Sequence, residues 1–518
     1  YTKRKSLNFT NVQKSRGKGS KKPHIYDIEN IALTYAYTKD SHEDIETEYD
    51  DVYTHRGVLN YNFSNKPKNF KPFGKAKVLR KNKYLRIVKD FNFYLMPSRL
   101  SFRTDLNRSF SEAKPRNTSG YDLIIEPVFA KTFLWNRDYN LKYDLSKALK
   151  FDFKATNRAI VDEPPGRIDT DEKKDSIKTN LYNFGRNTNY RHAANASFTV
   201  PLSKIPLTNW LSATTRYGAT FDWIGSPLGF QDANDVYIGH TIKNSNTKSI
   251  NGQANMVTLY NKVKYLKKIN RKYGKRRGNK PRAPEYKIVQ WEKDNLTFKA
   301  RKPKKFFHNL ETKDITSVEV FDSKGKKIQG KIFIESKNKI TYELKNDLKN
   351  ARIVIQARKK RGLDGAKLLE LTARTAMSVR KVSITYTENN GSTLPGYLPT
   401  TKVIGQSFDA QAPGYDFLFG WQPGHSFLIN NKTDEEIKRD REAWLDSRAD
   451  LDWITSSPSQ FNSFMQSKTR NLNIKATVEL LPGLRLDISG TRNHTNNYRE
   501  VFRDTSGDGQ YVHLSPTE

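Results

Sequence analysis

The chain has no cysteine, which excludes disulfide staples and thiolate metal sites but leaves the compartment open. It has no apolar run long enough for a membrane helix, and its mean hydropathy is -0.80. A polar average does not exclude a membrane crossed by strands, because alternating strands and hydrophilic loops evade hydropathy scans. Neither a phosphate-cradling Gly-Lys-Ser/Thr loop nor a Gly-x-Ser-x-Gly elbow occurs. The nine histidines (His24, His42, His55, His192, His240, His308, His425, His494 and His513) include no pair at metal-ligand spacing. Asp504-Thr-Ser-Gly-Asp-Gly509 imitates the start of a calcium loop, but Ser515 stands where a Glu is needed, so a glycine-rich turn is expected. A non-enzyme with no metal site and no cofactor is the expectation.

Acidic residues are also scarce: 55 Asp and Glu stand against 91 Lys and Arg, a net charge of +36. Such an excess commonly marks a polyanion partner. Here it is spread over clusters at Lys14–Lys22, Arg271–Arg282, Lys302–Lys305 and Arg358–Arg361. Clusters between strands fit loops near anionic headgroups, and nucleic acid is not expected.

What the chain does contain is alternation, with 28 Phe and 26 Tyr among its residues. Leu472, Ile474, Ala476, Val478 and Leu480 alternate with Asn473, Lys475, Thr477 and Glu479. Beyond Pro482-Gly483, Leu484, Leu486 and Ile488 alternate with Arg485 and Asp487. A period of two places one set on each face of a strand, and Pro-Gly predicts a tight hairpin. Each arm approaches the roughly 9–11 residues that a tilted strand needs to cross a bilayer. A second hairpin spans Phe133–Asn157. Phe133, Trp135, Tyr139, Leu141 and Tyr143 share one face with Phe151 and Phe153, and the turn falls at Ser146-Lys147-Ala148. Lys142, Asp144, Lys150, Asp152 and Lys154 lie opposite. Together with Asn473, Lys475, Arg485 and Asp487 they are the candidate lumen-facing residues; the apolar rows would meet lipid.

The pattern predicts an all-β chain: a segment of a very large antiparallel transmembrane β-barrel with a small periplasmic α+β insert. Residues 1–259 carry barrel strands, turns and extracellular loops, 260–376 an inserted periplasmic domain, and 377–518 further strands with a long loop at 389–467. Residues 1–24 read as aperiodic and 158–190 as a polar loop. Helical spacing is expected over Met256–Lys272 and Gly365–Val379, bracketing short strands around Val318, Ile332, Ile340 and Ile353. Short turns alternating with long loops suit an outer-membrane barrel, although the sidedness of the connectors in 40–83 stays open. In the long loop, Tyr415, Phe417, Phe419 and Trp421 alternate. They are expected either to form a strand or packed loop core, or to belong to a loop that enters the pore or forms a partner surface. Judged by its two ends, the chain reads as an internal piece of something longer.

Four segments carry a resemblance: Leu100-Ser-Phe-Arg-Thr-Asp-Leu-Asn-Arg108, Gly218-Ala-Thr-Phe-Asp-Trp-Ile-Gly-Ser-Pro-Leu-Gly229, Leu394-Pro-Gly-Tyr-Leu-Pro399 and Gly414-Tyr-Asp-Phe-Leu-Phe-Gly-Trp-Gln-Pro-Gly424. In that order they resemble the SprA (Sov) family, the outer-membrane translocons of the type 9 secretion system of Bacteroidetes. The resemblance implies a wide barrel that conducts folded cargo proteins to the cell surface, including adhesins in gliding members. It also implies a PorV-like small barrel and a periplasmic plug protein as partners, besides outer-membrane lipid. Two other readings stay open: an outer-membrane nutrient transporter barrel, and a soluble basic β-rich binding protein.

Overall fold

The computed structural model describes residues 1–17, 23–76, 85–273, 286–360, 365–425, 432–481 and 484–514. The chain is mostly antiparallel β, with 54% of residues in strands and 14% in helices. In chain order come β1 (Thr2–Val12), β2 (Ile31–His42), β3 (Thr47–Ser64) and a two-residue ribbon of β4 (Asn69–Phe70) with β5 (Phe93–Tyr94). Then follow β6 (Arg99–Pro115), β7 (Val128–Asp144), β8 (Leu149–Ile160), β9 (Arg186–Val200), β10 (Leu211–Ile224) and β11 (His240–Asn255). An inserted segment supplies β12 (Tyr286–Phe298), β13 (Lys304–Phe307), β14 (Ile315–Phe321), β15 (Lys327–Ile328), β16 (Lys331–Ser336), β17 (Lys339–Glu343) and β18 (Leu348–Lys360). After it come β19 (Val379–Tyr397), β20 (Phe464–Leu481), β21 (Leu484–Asp504) and β22 (Tyr511–Leu514).

Thirteen of these strands form one sheet in the order β1-β2-β3-β6-β7-β8-β9-β10-β11-β19-β20-β21-β22, open at β1 and β22. Each strand pairs with the next main-sheet strand along the chain, so only local connections and one insertion are needed. The registers are long. β10 pairs with β11 without a break from Leu211↔Ala254 to Ile224↔Thr241.

Several elements depart from the sequence reading. Thr2–Val12 is a strand whose eleven residues are all exposed; as an edge strand it buries no stripe, and only Leu7 and Phe9 hinted at alternation. Within the connectors of 40–83, β2 runs on to His42 and β3 restarts at Thr47, leaving only four residues between them. The expected loop 158–190 holds the helix Asp171–Tyr182, none of whose residues is buried, so no apolar stripe announced it. The long loop is shorter than expected, at 398–463, because β19 extends to Tyr397 and β20 begins at Phe464. The Pro482-Gly483 turn lies outside the described residues.

Connector lengths do not sort cleanly by end of the sheet. By strand direction, the connector 65–98 shares an end with the short turn 145–148, and the short turn 43–46 shares an end with 398–463.

The chain divides into two compact units. The second comprises 257–380 with 478–486, close to the expected insert but including the end of the β20–β21 arms. It holds a four-stranded sheet (β12-β18-β14-β15) and a three-stranded sheet (β13-β17-β16) around Phe298, Val320, Ile340, Ile353 and Ile355. The expected helix at 256–272 is split into Met256–Tyr260 and Lys264–Tyr273, and a second helix covers Gly365–Ala376. Glu479 accepts from Arg374 Nη2 at 3.3 Å and from Arg380 Nε at 3.1 Å, while Arg380 Nη1 donates to Asn270 at 2.7 Å. The first unit, 1–256 with 381–477 and 487–518, contains the large sheet.

Candidate functional site

The two faces of the large sheet differ in chemistry. Across β7 and β8, Asn140 pairs with Lys154, Lys142 with Asp152 and Asp144 with Lys150. Because directly paired residues share a face, these five predicted charges stand together with opposite signs opposed. The same face continues through Asn195 and Ser197 on β9, Arg216 and Gly218 on β10, Thr247 and Ser249 on β11, and Thr387 and Asn389 on β19. Towards β3 it carries Arg56, whose guanidinium grips Asp105 through Nη2 at 2.7 Å, with Arg103 at 2.9 Å from the same carboxylate.

Gln466 Nε2 donates to Ser392 at 3.3 Å and Arg470 Nε to Glu388 at 3.2 Å, which puts residues 466 and 470 on the face of 388 and 392. By alternation Ile474 lies on that face, with Asn473 and Lys475 opposite. Thr477 Oγ1 donates to Asp487 at 2.7 Å, bringing Asp487, and with it Arg485, to the polar side of their hairpin. Lys142, Asp144, Lys150, Asp152, Lys154, Asn473, Lys475 and Asp487 therefore share one polar face of the first unit, while Arg485 falls in the second.

The other face is apolar towards each end with a polar band between, and the two ends are treated differently. Towards one end it carries Tyr190, Phe221, Trp223, Ile242, Leu394 and Tyr397, all buried under the segment 398–463. Towards the other end it carries Phe198, Ile250, Ile384 and Ile474, which are exposed. Between the two lies Glu388, which accepts from Tyr386 Oη at 2.9 Å and Asn390 Nδ2 at 3.0 Å, with Lys248 at 3.7 Å.

The covering segment is held by main-chain capture. Asn244 Nδ2 donates to the carbonyls of Phe417 (3.0 Å) and Trp421 (2.7 Å), His192 Nε2 to that of Leu418 (2.9 Å), and Gln466 Nε2 to that of Pro423 (2.9 Å). Tyr217 Oη reaches the Phe419 carbonyl and Asn246 Nδ2 the Gly420 carbonyl. Strand side chains thus satisfy backbone groups that a buried loop would otherwise leave unpaired. Gly420, at φ +92°, permits the approach: a Cβ there would stand 2.8 Å from Asn246 Cβ and 3.0 Å from the Ser245 carbonyl.

The helix Asp434–Ala449 closes the layer. Thr433 and Glu436 form a capping box, and Arg441, Trp444, Leu445 and Ala449 turn one face inward. The Phe417 ring stacks on Trp444 at 5.7 Å. Burial pushes His425, at the edge of the segment, down to about 4.

Of the four aromatic candidates, Phe417 is buried and Phe419 and Trp421 pack against the core, whereas Tyr415 is exposed. Their alternation does not mark a strand, because Tyr415–Leu418 is a helical turn. The packed-loop expectation holds. The loop lies on the face opposite Lys142 and Lys154, so it cannot enter a lumen lined by those residues. The carbonyl-catching residues His192, Tyr217, Asn244, Asn246 and Gln466 escaped the sequence reading, since each is an ordinary polar strand residue until its distant partner is known.

Asp504 spends its carboxylate on the amides of Ser506 (3.0 Å), Gly507 (2.7 Å) and Gly509 (2.6 Å), as a glycine-rich turn requires. Ser515 lies outside the described residues. No helix is long and apolar enough to cross a membrane among the described residues. No protein-family model matches the chain, and no curated protein proved similar to it.

Proposed function

We propose that this chain forms part of the wall of a very large outer-membrane β-barrel that conducts folded proteins, a translocon of the type 9 secretion kind. The observation that carries the reading is the uncovered half of the apolar face. Ile250, Ile384 and Ile474 stand exposed on strands whose opposite face is polar, the arrangement of a barrel strand between lipid and a wet lumen. On this reading Lys142, Asp144, Lys150, Asp152, Lys154, Asn473, Lys475, Arg485 and Asp487 line the lumen. Their mixed charges neutralise one another, and the wall neither hydrolyses cargo nor supplies energy.

The docked segment sits outside the barrel, on the lipid-facing side but beyond the membrane, at the cell surface. That position offers a contact for a PorV-like small barrel. The second unit belongs to the periplasm, near a plug protein. The reading includes no enzyme activity, no cofactor and no nucleic-acid partner.

Fractionation of the full-length protein, detergent extraction and copurification test the proposal. Recovery in the outer membrane with a smaller barrel partner is expected. Recovery as a soluble monomer would reject it in favour of a basic β-rich binding protein. Normal partner copurification and secretion after deletion of 398–463 would remove the role given to the docked segment.

A further inference from the structure

At the back of the docked segment, three carboxylates and one imidazole from three elements converge. Glu442 and Asp446 stand one turn apart on the helix Asp434–Ala449, Glu500 lies on β21 and His513 on β22. Potential ligand atoms of Glu442, Glu500 and His513 all fall within 4.8 Å of one another. His513 Nδ1 is 3.0 Å from Glu500 Oε2, and its Nε2 is 3.0 Å from Asp446 Oδ1. Glu500 is fully buried. Its Oε2 accepts from Tyr498 Oη at 3.0 Å, but its Oε1 has no hydrogen-bond partner.

A buried carboxylate with an orphaned oxygen is costly unless a positive charge meets it. The nearby lysine and arginine side chains are otherwise directed, which leaves His513 as the basic group facing Glu500. Lys438 approaches only Glu442, at 3.8 Å, and the Arg441 guanidinium lies over the Tyr498 ring at 3.1 Å. When His513 Nε2–H donates to Asp446, its Nδ1 lone pair faces the Glu500 oxygen. Either a proton on Nδ1 or a metal ion can join these two atoms, which stand 3.0 Å apart, and only a metal ion would also draw in Glu442.

We propose that Glu442, Glu500 and His513 bind a divalent transition cation of the zinc or manganese class, with Asp446 orienting the histidine through its other nitrogen. A carboxylate behind a metal-bound imidazole is a recurrent outer-shell arrangement. Ligand atoms around a tetrahedral zinc stand roughly 3.3 Å apart. The His513–Glu500 pair already has that spacing, and Glu442 needs only a small side-chain adjustment. Three protein ligands leave one position for water, and the mixed imidazole and carboxylate set favours zinc or manganese over calcium. The ion would clamp the helix of the docked segment to β21 and β22. This inference stands independently of the channel reading.

The test uses full-length, detergent-purified protein, stripped with a chelator and dialysed against zinc, manganese or calcium, with bound metal measured by mass spectrometry. About one zinc or manganese per chain is expected, as three ligands around one ion imply. Affinity should fall at least about tenfold in Asp446→Asn and be lost in Glu500→Gln and His513→Ala. Glu442→Gln, at a partly exposed position, serves where the buried variants fail to fold. Absence of stoichiometric metal, binding of calcium alone, or unchanged binding in Glu442→Gln and Asp446→Asn would overturn the site.

Discussion

Ile242 and Ile250 sit on the same strand and the same face, yet Ile242 is 0% exposed and Ile250 is 50% exposed. The first lies under the docked segment, surrounded by Phe221, Trp223 and Leu394; the second is left half exposed by the described residues. Strand chemistry alone does not distinguish them. What differs is the cover each end requires: one end recruits the chain's own aromatics, and the other leaves a row of apolar side chains that water would penalise. A face treated this way suits a wall whose two ends meet different surroundings, and Glu388 with its ion pairs marks the change between them.

The largest effect is expected at the docked end. Phe417→Ala removes a fully buried ring stacked on Trp444 and should cost about 3–5 kcal/mol, read as protease cleavage within 398–463 while the strands stay intact. At the uncovered end, Ile474→Arg should cost about 2–4 kcal/mol in a membrane-inserted wall, whereas Lys475→Glu on the opposite face should fold normally in a urea titration in lipid vesicles. Equal tolerance of both would reject the assigned faces. Asn244→Ala strands the carbonyls of Phe417 and Trp421. The loss should be about 1–3 kcal/mol, again visible as proteolysis of the docked segment.

The smallest effect is a pH dependence. Burial holds His425 at about 4, while an undocked histidine takes a proton near its ordinary value, about 6.5. Docking therefore has this contribution in full above about pH 6.5 and loses it as pH falls towards 4. Tryptophan fluorescence of the segment should report the loosening, and His425→Gln should flatten the curve.

Most of the sheet was legible because alternation is a local signal. Tyr139, Leu141 and Tyr143 against Asn140, Lys142 and Asp144 identify two faces without knowledge of any partner. The helix Asp434–Ala449 was less visible because its inward face includes Arg441 beside Trp444 and Leu445, so no clean apolar stripe appears. A capping signature at Thr433–Glu436 was nevertheless present. The docking of 398–463 could not be read at all. It depends on Asn244, Asn246 and His192 meeting carbonyls more than a hundred residues away along the chain, a relation that spacing does not encode.

The most direct test of the two-faced wall uses the absence of native cysteine. Single cysteines at 250, 384 and 474, and at 142, 152 and 475, would be labelled in the full-length protein after mixing with lipid vesicles. The account predicts that fluorophores at the first three are quenched by a lipid-borne quencher, and that the second three react with a membrane-impermeant maleimide from the aqueous side. Quenching at 142 and 152 with none at 384 and 474 would reverse the faces. Free aqueous labelling of all six without lipid quenching would contradict the membrane wall itself.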